Sequence, residues 1–314
     1  MSDMNDLSGM PSPSAPPTIV DAQRAAMALG LDRLDAQLLL LHALGRGSND
    51  RAWLISHDAD TMPGHAWEAL LLQCVRRIAG EPVAYLLGEK EFHGLALQVD
   101  ARVLVPRPDT ETLVDWTLDL LRDHSPAASS VLDLGTGSGA IALALKHARP
   151  DVQVDAVDAS ADALAVAQTN AQRLGLDVRL FQGDWLDGID ATRPDAGYDL
   201  IVSNPPYIAE GDPHLPALAH EPLSALVAGA DGLDDIRRIV QAAPTHLRPN
   251  GWLLLEHGYD QASEVRDLLS ARGFVDVIGR DDLGGIARCS GGRWHAMPNR
   301  DLPAAADAQR VAVK

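Results

Sequence analysis

Residues 204–207, Asn-Pro-Pro-Tyr, leave the apolar run Tyr198-Asp199-Leu200-Ile201-Val202 through two consecutive residues that cannot donate a backbone hydrogen bond. Each proline fixes φ, lacks an N–H and biases its predecessor toward extended backbone, so Asn204 and Pro205 are both held out of the helical region. Read alone, such a pair can do no more than end a strand. It can also do chemistry. An amide or aromatic amine is a poor nucleophile because its lone pair is delocalised. Two acceptors aimed at its N–H bonds would hold the nitrogen in line with an electrophile and stabilise the positive charge that grows on it. The Asn204 side-chain oxygen and the Pro205 main-chain oxygen can be those acceptors, Pro206 keeps the bend stiff, and Tyr207 can stack on a planar acceptor group.

The electrophile is suggested by Val-Leu-Asp-Leu-Gly-Thr-Gly-Ser-Gly, residues 131–139, which places Gly135, Gly137 and Gly139 between a strand pattern and a helix pattern. Glycine lets a backbone approach a ligand with no Cβ in the way. Asp158 ends the next strand pattern, nineteen residues after Gly139, a separation at which a carboxylate can accept from both ribose hydroxyls. An adenosine-bearing cofactor follows, either a dinucleotide or S-adenosylmethionine (SAM). A dinucleotide turn usually reads Gly-x-Gly-x-x-Gly, with a pyrophosphate at the helix N-terminus. Here the third glycine comes one residue early and Asp133 precedes the turn, which suits a cationic aminoacyl group better. SAM is therefore expected. Asp184, in Gly-Asp-Trp after the third strand, is a candidate for the adenine amino group or for a plain helix cap, and Trp185 is a candidate to pack on the ring.

These residues need a scaffold. From Asp109 onward short β-rich runs alternate with helical patterns of ten to fifteen residues, which predicts βαβ units and a mostly parallel sheet with its ligands beyond the carboxyl ends of the strands. The run 233–247 reads as one helix despite Pro244, and 284–297 as a last strand pair. Residues 19–88 repeat apolar positions at i, i+3, i+4 and i+7 and predict a small helical domain. Residues 89–106 predict a β-hairpin linker turning at Asp100-Ala101, and 107–297 the catalytic domain. The ends, 1–18 and 298–314, carry no core pattern and are expected to be disordered tails, without a secretory signal. Glu256 and His257, at the end of a late strand, are read as structural.

Composition removes several classes. The formal charge, 26 − 44 = −18, with no cluster of Lys and Arg, disfavours stable binding to nucleic acid through phosphates. No apolar stretch reaches the ~20 residues of a membrane helix. Two distant cysteines, Cys74 and Cys289, indicate neither a disulfide framework nor a metal site, and a reducing cytoplasm fits.

The stretches Asp-Leu-Gly-Thr-Gly-Ser-Gly (133–139), Val-Asp-Ala-Ser (157–160), Gly-Asp-Trp (183–185) and Ser-Asn-Pro-Pro-Tyr-Ile (203–208), with Val-Pro-Arg-Pro-Asp-Thr-Glu (105–111) upstream and Leu-Leu-Leu-Glu-His-Gly (253–258) downstream, resemble the peptide chain release factor protein-(glutamine-N5) methyltransferases, the PrmC/HemK family. The likeness runs from about residue 20 to 297. It implies a class I SAM-dependent methyltransferase fold, Rossmann-like with a mostly parallel seven-stranded sheet and a small N-terminal helical substrate-recognition domain. It implies a cytoplasmic enzyme, expected as a monomer, that methylates the glutamine of the Gly-Gly-Gln motif in class I peptide chain release factors. Carried over by position, Gly135, Thr136, Gly137, Ser138, Gly139, Asp158, Trp185 and Asn204 would contact SAM, while Asn204, Pro205, Pro206 and Tyr207 would hold the substrate glutamine. No metal is implied. The tetrad alone leaves other acceptors open, since adenine amino-methyltransferases and glutamine methyltransferases of ribosomal proteins resemble it there. The acidity and the Arg107-Pro108-Asp109-Thr110-Glu111 run favour release factors. A non-catalytic adenosine-binding protein is the remaining alternative.

Overall fold

A computed structural model describes residues 16–123, 129–187, 189 and 197–295. The expected tails at 1–18 and 298–314 lie outside these residues, except for 16–18. There Thr18 accepts from the Asp21 N–H to cap the first helix and bridges to Thr61.

Five helices follow: α1 (Ile19–Ala28), α2 (Arg33–Ala43), α3 (Arg51–Ser56), α4 (Gly64–Ile78) and α5 (Val83–Leu87). Their apolar stripes meet in one core that includes Ala22, Leu39, Leu40, Met62, Leu70 and Cys74. Asp32 caps α2 through the Asp35 N–H at 2.8 Å. The short α5, which begins after Pro82 and stops at a left-handed Gly88, has too few turns to show a period.

The hairpin follows as β1 (Glu89–Phe92) and β2 (Leu95–Gln98), but its turn is His93-Gly94, not Asp100-Ala101. His93 and Gly94 both take positive φ, +48° and +80°, as a tight hairpin turn of the primed kind demands. Asp100 instead accepts from the Arg102 N–H at 3.0 Å, a local turn that ends the ladder, so 99–106 is not strand.

The remaining elements are α6 (Glu111–Asp123), β3 (Ser130–Leu134), α7 (Ala140–Ala148), β4 (Gln153–Asp158), α8 (Ala161–Leu174), β5 (Arg179–Gln182), β6 (Tyr198–Ser203), α9 (Asp234–Ala242), β7 (Leu247–Glu256), α10 (Ala262–Arg272), β8 (Phe274–Asp281) and β9 (Ala287–Trp294). Helix α9 stops at Ala242 and Pro244 sits in a 3-10 turn, because its ring cannot continue an α-helix. The expected last strand pair is the single strand β9, which runs antiparallel to both β7 and β8. Seven strands pair in the order β5-β4-β3-β6-β7-β9-β8, the first five parallel.

Both sheet faces are covered, which is why β3 is buried along its whole length. One apolar layer holds Val131, Val202 and Leu254 against α6 and α7, and the other holds Leu132, Ile201 and Leu255 against α9 and α10. The chain progresses one way from β3 to β5 and the other way from β6, so the order reverses between β3 and β6. A crevice opens there at the carboxyl edge.

Candidate active site

Both motifs leave the sheet at that reversal. Gly135, Gly137, Asp158, Trp185, Asn204 and Pro206 line one cleft. Asn204, Pro205 and Tyr207 line a smaller cavity that continues from it beside Arg107.

The glycine-rich turn is held by the next strand. The N–H groups of Gly135 and Thr136 donate to the Val157 carbonyl at 2.9 Å, and Gly137 N–H donates to Asp158 Oδ2 at 2.9 Å. Gly135 has φ +72°, and a Cβ there would lie 3.1 Å from the Trp185 ring, so only glycine leaves this wall of the cleft open. Trp185 is itself left-handed, at φ +54°, and its indole N–H donates to Asp235 at 3.0 Å, which pins the ring. Asp158 Oδ1 accepts from the Ser160 N–H at 2.9 Å. Each carboxylate oxygen thus has one backbone donor and keeps acceptor capacity toward the cleft. Burial raises the Asp158 pKa, and the Ser160 and Gly137 N–H groups oppose the rise.

Other expected residues lie elsewhere. Asp133 is fully buried beneath the turn, where it accepts from the Thr136 hydroxyl at 2.6 Å. Burial drives its pKa up to about 7, opposed by the Thr136 hydroxyl and the nearby Ala142 N–H, and its Oδ1 completes no hydrogen bond of good geometry. Thr136 and Ser138 are buried in the turn as well. Gly139 is a packing residue: a Cβ there would sit 2.9 Å from Leu143 and 3.4 Å from Ala167. Asp184 does not reach the cleft and caps no helix; its exposed carboxylate pairs with Arg238 at 2.7 Å. His257 is buried and bonded to Ser290 Oγ at 2.8 Å, as a structural residue would be.

The Asn-Pro-Pro-Tyr corner is braced by the segment 107–111. Asn204 Nδ2 donates to Thr110 Oγ1 at 3.1 Å, which leaves Oδ1 as its free end. No described residue donates to the Pro205 carbonyl. Both proposed acceptors are therefore available. Arg107 pairs at 2.5 Å with Glu221, whose other oxygen accepts from the Val105 N–H at 3.0 Å. Asp109 pairs with Arg288 at 3.3 Å, and Glu111 accepts from the His93 N–H at 3.0 Å. Asn170 completes the frame, donating to Ser138 O at 2.9 Å and Gln98 O at 3.0 Å and so tying the glycine-rich turn to the hairpin. Sequence reading missed Thr110, Asn170 and Glu221 as site residues. Only the Pro-Arg-Pro-Asp-Thr-Glu run carried a signal for any of them.

The Glu221 side chain is only 2% exposed while Arg107 is 36% exposed. Arg107→Ala strips a buried carboxylate of its cation, at a cost moderated by solvent around the guanidinium. We expect a stability loss of about 1–2 kcal/mol, read by urea denaturation. No loss would mean that the pair does not fasten the segment around Glu221 to the 105–107 strip.

Comparison with known proteins agrees with this geometry. The family profile described as Methyltransferase small domain matches residues 110–270, and that described as PrmC N-terminal domain matches 22–88. The release factor glutamine methyltransferase of Bordetella pertussis is 50% identical over 268 residues, covering 84% of this chain and 95% of that protein. Proteins of the same name from Xylella fastidiosa and Pseudomonas aeruginosa are 46% and 49% identical, covering 90% and 83% of this chain and 98% and 92% of theirs. Among solved structures, the hMettl16 catalytic domain in complex with the MAT2A 3'UTR hairpin 1 superposes with TM-score 0.53 at 16% identity, over 70% of this chain and 79% of that one, a likeness of fold alone. With a doubly covered seven-stranded sheet, a glycine-rich turn facing an Asn-Pro-Pro-Tyr corner, and relatives at half identity along nearly their whole length, the chain belongs to the release factor glutamine methyltransferase family.

Proposed function

We infer that this protein transfers a methyl group from SAM to the side-chain amide nitrogen, N5, of the glutamine in the Gly-Gly-Gln motif of class I peptide chain release factors. The observation that carries this reading is the meeting of the free Asn204 and Pro205 oxygens with the cleft formed by the glycine-rich turn and Asp158.

The residues fit SAM. Asp158 retains acceptor capacity for a ribose diol, Trp185 offers a flat wall, and the turn at Gly135 and Gly137 leaves room that side chains would fill. The buried Asp133 carboxyl beneath the turn supplies negative potential toward a cationic aminoacyl group in its ionised form, and a bound cation would favour that form. When bound, SAM supplies a sulfonium methyl. The chain's own part is to bind and orient the acceptor. Asn204 Oδ1 and Pro205 O accept the two amide N–H bonds, which fixes the nitrogen's direction and offsets its growing positive charge. Tyr207 offers its ring to the planar amide, and the stiff Pro205-Pro206 backbone holds the carbonyl in place. No strong base is required, because the methylated nitrogen is acidic enough to lose its proton to water.

Nucleic acid is disfavoured as acceptor by the formal charge of −18, and the groove next to Tyr207 carries Asp212, Asp231, Asp260 and Glu264 against His214 and Arg288. Among the described residues no helix is long and apolar enough to cross a membrane. With both cysteines free and buried, a reducing cytoplasm suits the enzyme, and we place it there as a monomer.

The direct test is incubation with labelled SAM and a class I release factor, the same factor with its Gly-Gly-Gln glutamine changed to alanine, a ribosomal protein mixture, or duplex DNA. Label on the first alone, with the mass of one methylene added to the Gly-Gly-Gln peptide, is expected. Label on DNA or ribosomal protein alone would reject the reading.

A further inference from the structure

Leu255 of β7 pairs in parallel register with Ser203 of β6. The next residues along the two strands, Glu256 and Asn204, therefore lie side by side at the carboxyl edge. Both continue the face of Val202 and Leu254. On that face the turn 108–110 lays the buried Thr110 over them, and Thr110 Oγ1 accepts from Asn204 Nδ2 at 3.1 Å. Glu256 is completely buried, and neither of its oxygens completes a hydrogen bond of good geometry. The Thr110 hydroxyl and the Tyr207 phenol nonetheless stand close enough to lower its pKa. The cation facing it, Arg288, is already engaged by Asp109 at 3.3 Å and Asp282 at 3.4 Å. The remaining titratable neighbours are Asp109 itself and Cys289, which stands opposite Glu256 on β9. An unpaired buried carboxyl is costly, and this one stands one hydroxyl away from the residue that orients the acceptor.

We propose that Glu256 is a positioning residue for methyl transfer, its carboxylate taking the Thr110 hydroxyl proton in a hydrogen bond so that Thr110 Oγ1 is left as acceptor for Asn204 Nδ2 and Asn204 Oδ1 faces the substrate amide. This rests on the function inferred above. A hydroxyl has one proton and two lone pairs, and the arrangement uses the proton toward Glu256 and a lone pair toward Asn204. When Glu256 is protonated it donates to the second lone pair of Thr110 Oγ1, and the hydroxyl proton, having lost its carboxylate acceptor, can turn toward Asn204 Nδ2, which cannot accept it, so that the Asn204 amide loosens. Tyr207 remains a donor throughout, because burial holds its phenol well above the usual range.

Burial drives the Glu256 pKa up to about 7, opposed by Thr110 and Arg288. The ionised, orienting form therefore accumulates as pH rises through that value, and turnover rises with it. The test is kcat and SAM affinity from pH 6 to 9 for the wild type, Glu256→Gln, Thr110→Val and Thr110→Ser, with release factor as acceptor. At saturating SAM, which confines the titration of Asp133 beneath the cofactor to SAM affinity, wild type is expected to lose kcat on the acid side through Glu256. Glu256→Gln and Thr110→Val should lower kcat at pH 8 roughly fivefold to tenfold and flatten the acid limb, with SAM affinity unchanged within about twofold. Thr110→Ser, which keeps the hydroxyl and loses the methyl, should recover most of the wild-type rate; a packing role would predict the reverse. An unchanged profile in Glu256→Gln, or a Ser variant as slow as the Val variant, overturns the proposal.

The Asn204 side-chain NH2 signal in a 15N spectrum of the full chain reads the same link without substrate. It should shift with pH in the wild type and stay fixed in Glu256→Gln, and a signal indifferent to pH in both overturns the link. If the wild type leaves release factor unmodified, the functional reading fails by itself and this titration still decides the role of Glu256.

Discussion

Asn204→Ala is expected to lower kcat for methyl transfer by about 10²–10³, the range found when one preorganised group is removed from a transition-state charge site, while SAM affinity falls only a few fold. Asn204 stands on the wall shared by the cofactor cleft and the smaller cavity, so its truncation touches both. Its larger contribution is directional. With Nδ2 engaged by Thr110, Oδ1 is the end presented to the acceptor. Alanine leaves the Pro205 carbonyl as the sole remaining acceptor, and the amide nitrogen can then rotate out of line. Losing an interaction that strengthens as charge develops lowers kcat and kcat/KM together, so the KM for release factor should change little. Steady-state kinetics beside calorimetry with SAM separate the two effects. A variant that turns over at the wild-type rate would show that the corner merely ends β6.

Asp158→Ala is expected to weaken SAM binding roughly 10²-fold, the combined effect of two charge-assisted hydrogen bonds. The carboxylate also holds the Gly137 N–H at 2.9 Å and the Ser160 N–H at 2.9 Å, so alanine frees two loop donors as well as removing the ribose acceptor. Asp158→Asn separates these roles. One amide oxygen can still meet a backbone N–H, whereas the NH2 end cannot accept from a hydroxyl. Calorimetry should place the asparagine variant between wild type and alanine. A change of less than about threefold in the alanine variant would mean that Asp158 only shapes the turn.

Much of the scaffold was legible along the chain because its signals are local. Ser160 caps α8 and Gly175 closes it in the left-handed conformation, as the residue types require. The alternation of β-rich and helical runs announced the sheet, and the early third glycine marked the turn. The misreadings have equally local causes. Asp100-Ala101 has turn-like residues but no pair able to share the left-handed conformation that His93-Gly94 adopts. Pro244 lies two residues beyond the end of the helix that was expected to run through it, and the glycines at 291 and 292 lie within one continuous strand. Asp184 has the spacing of a cofactor ligand, but its side chain is 57% exposed and held by Arg238 of α9, 54 positions along the chain.

The sequence by itself determined the residue types the chemistry needs: a stiff donor-free bend after one strand, a glycine turn and a carboxylate after two others, and helices of fitting length between them. Each follows from φ restrictions, periodicity and capping over a few residues. Tertiary structure alone decided which of those groups meet. Thr110 reaches Asn204 across 94 positions and Arg107 reaches Glu221 across 114. Glu256 stands beside Asn204 only because β7 pairs with β6 in one register. Strand order and register are set by the joint burial of both sheet faces, a property of all the strands and helices packed together, and no local stretch of chain carries it.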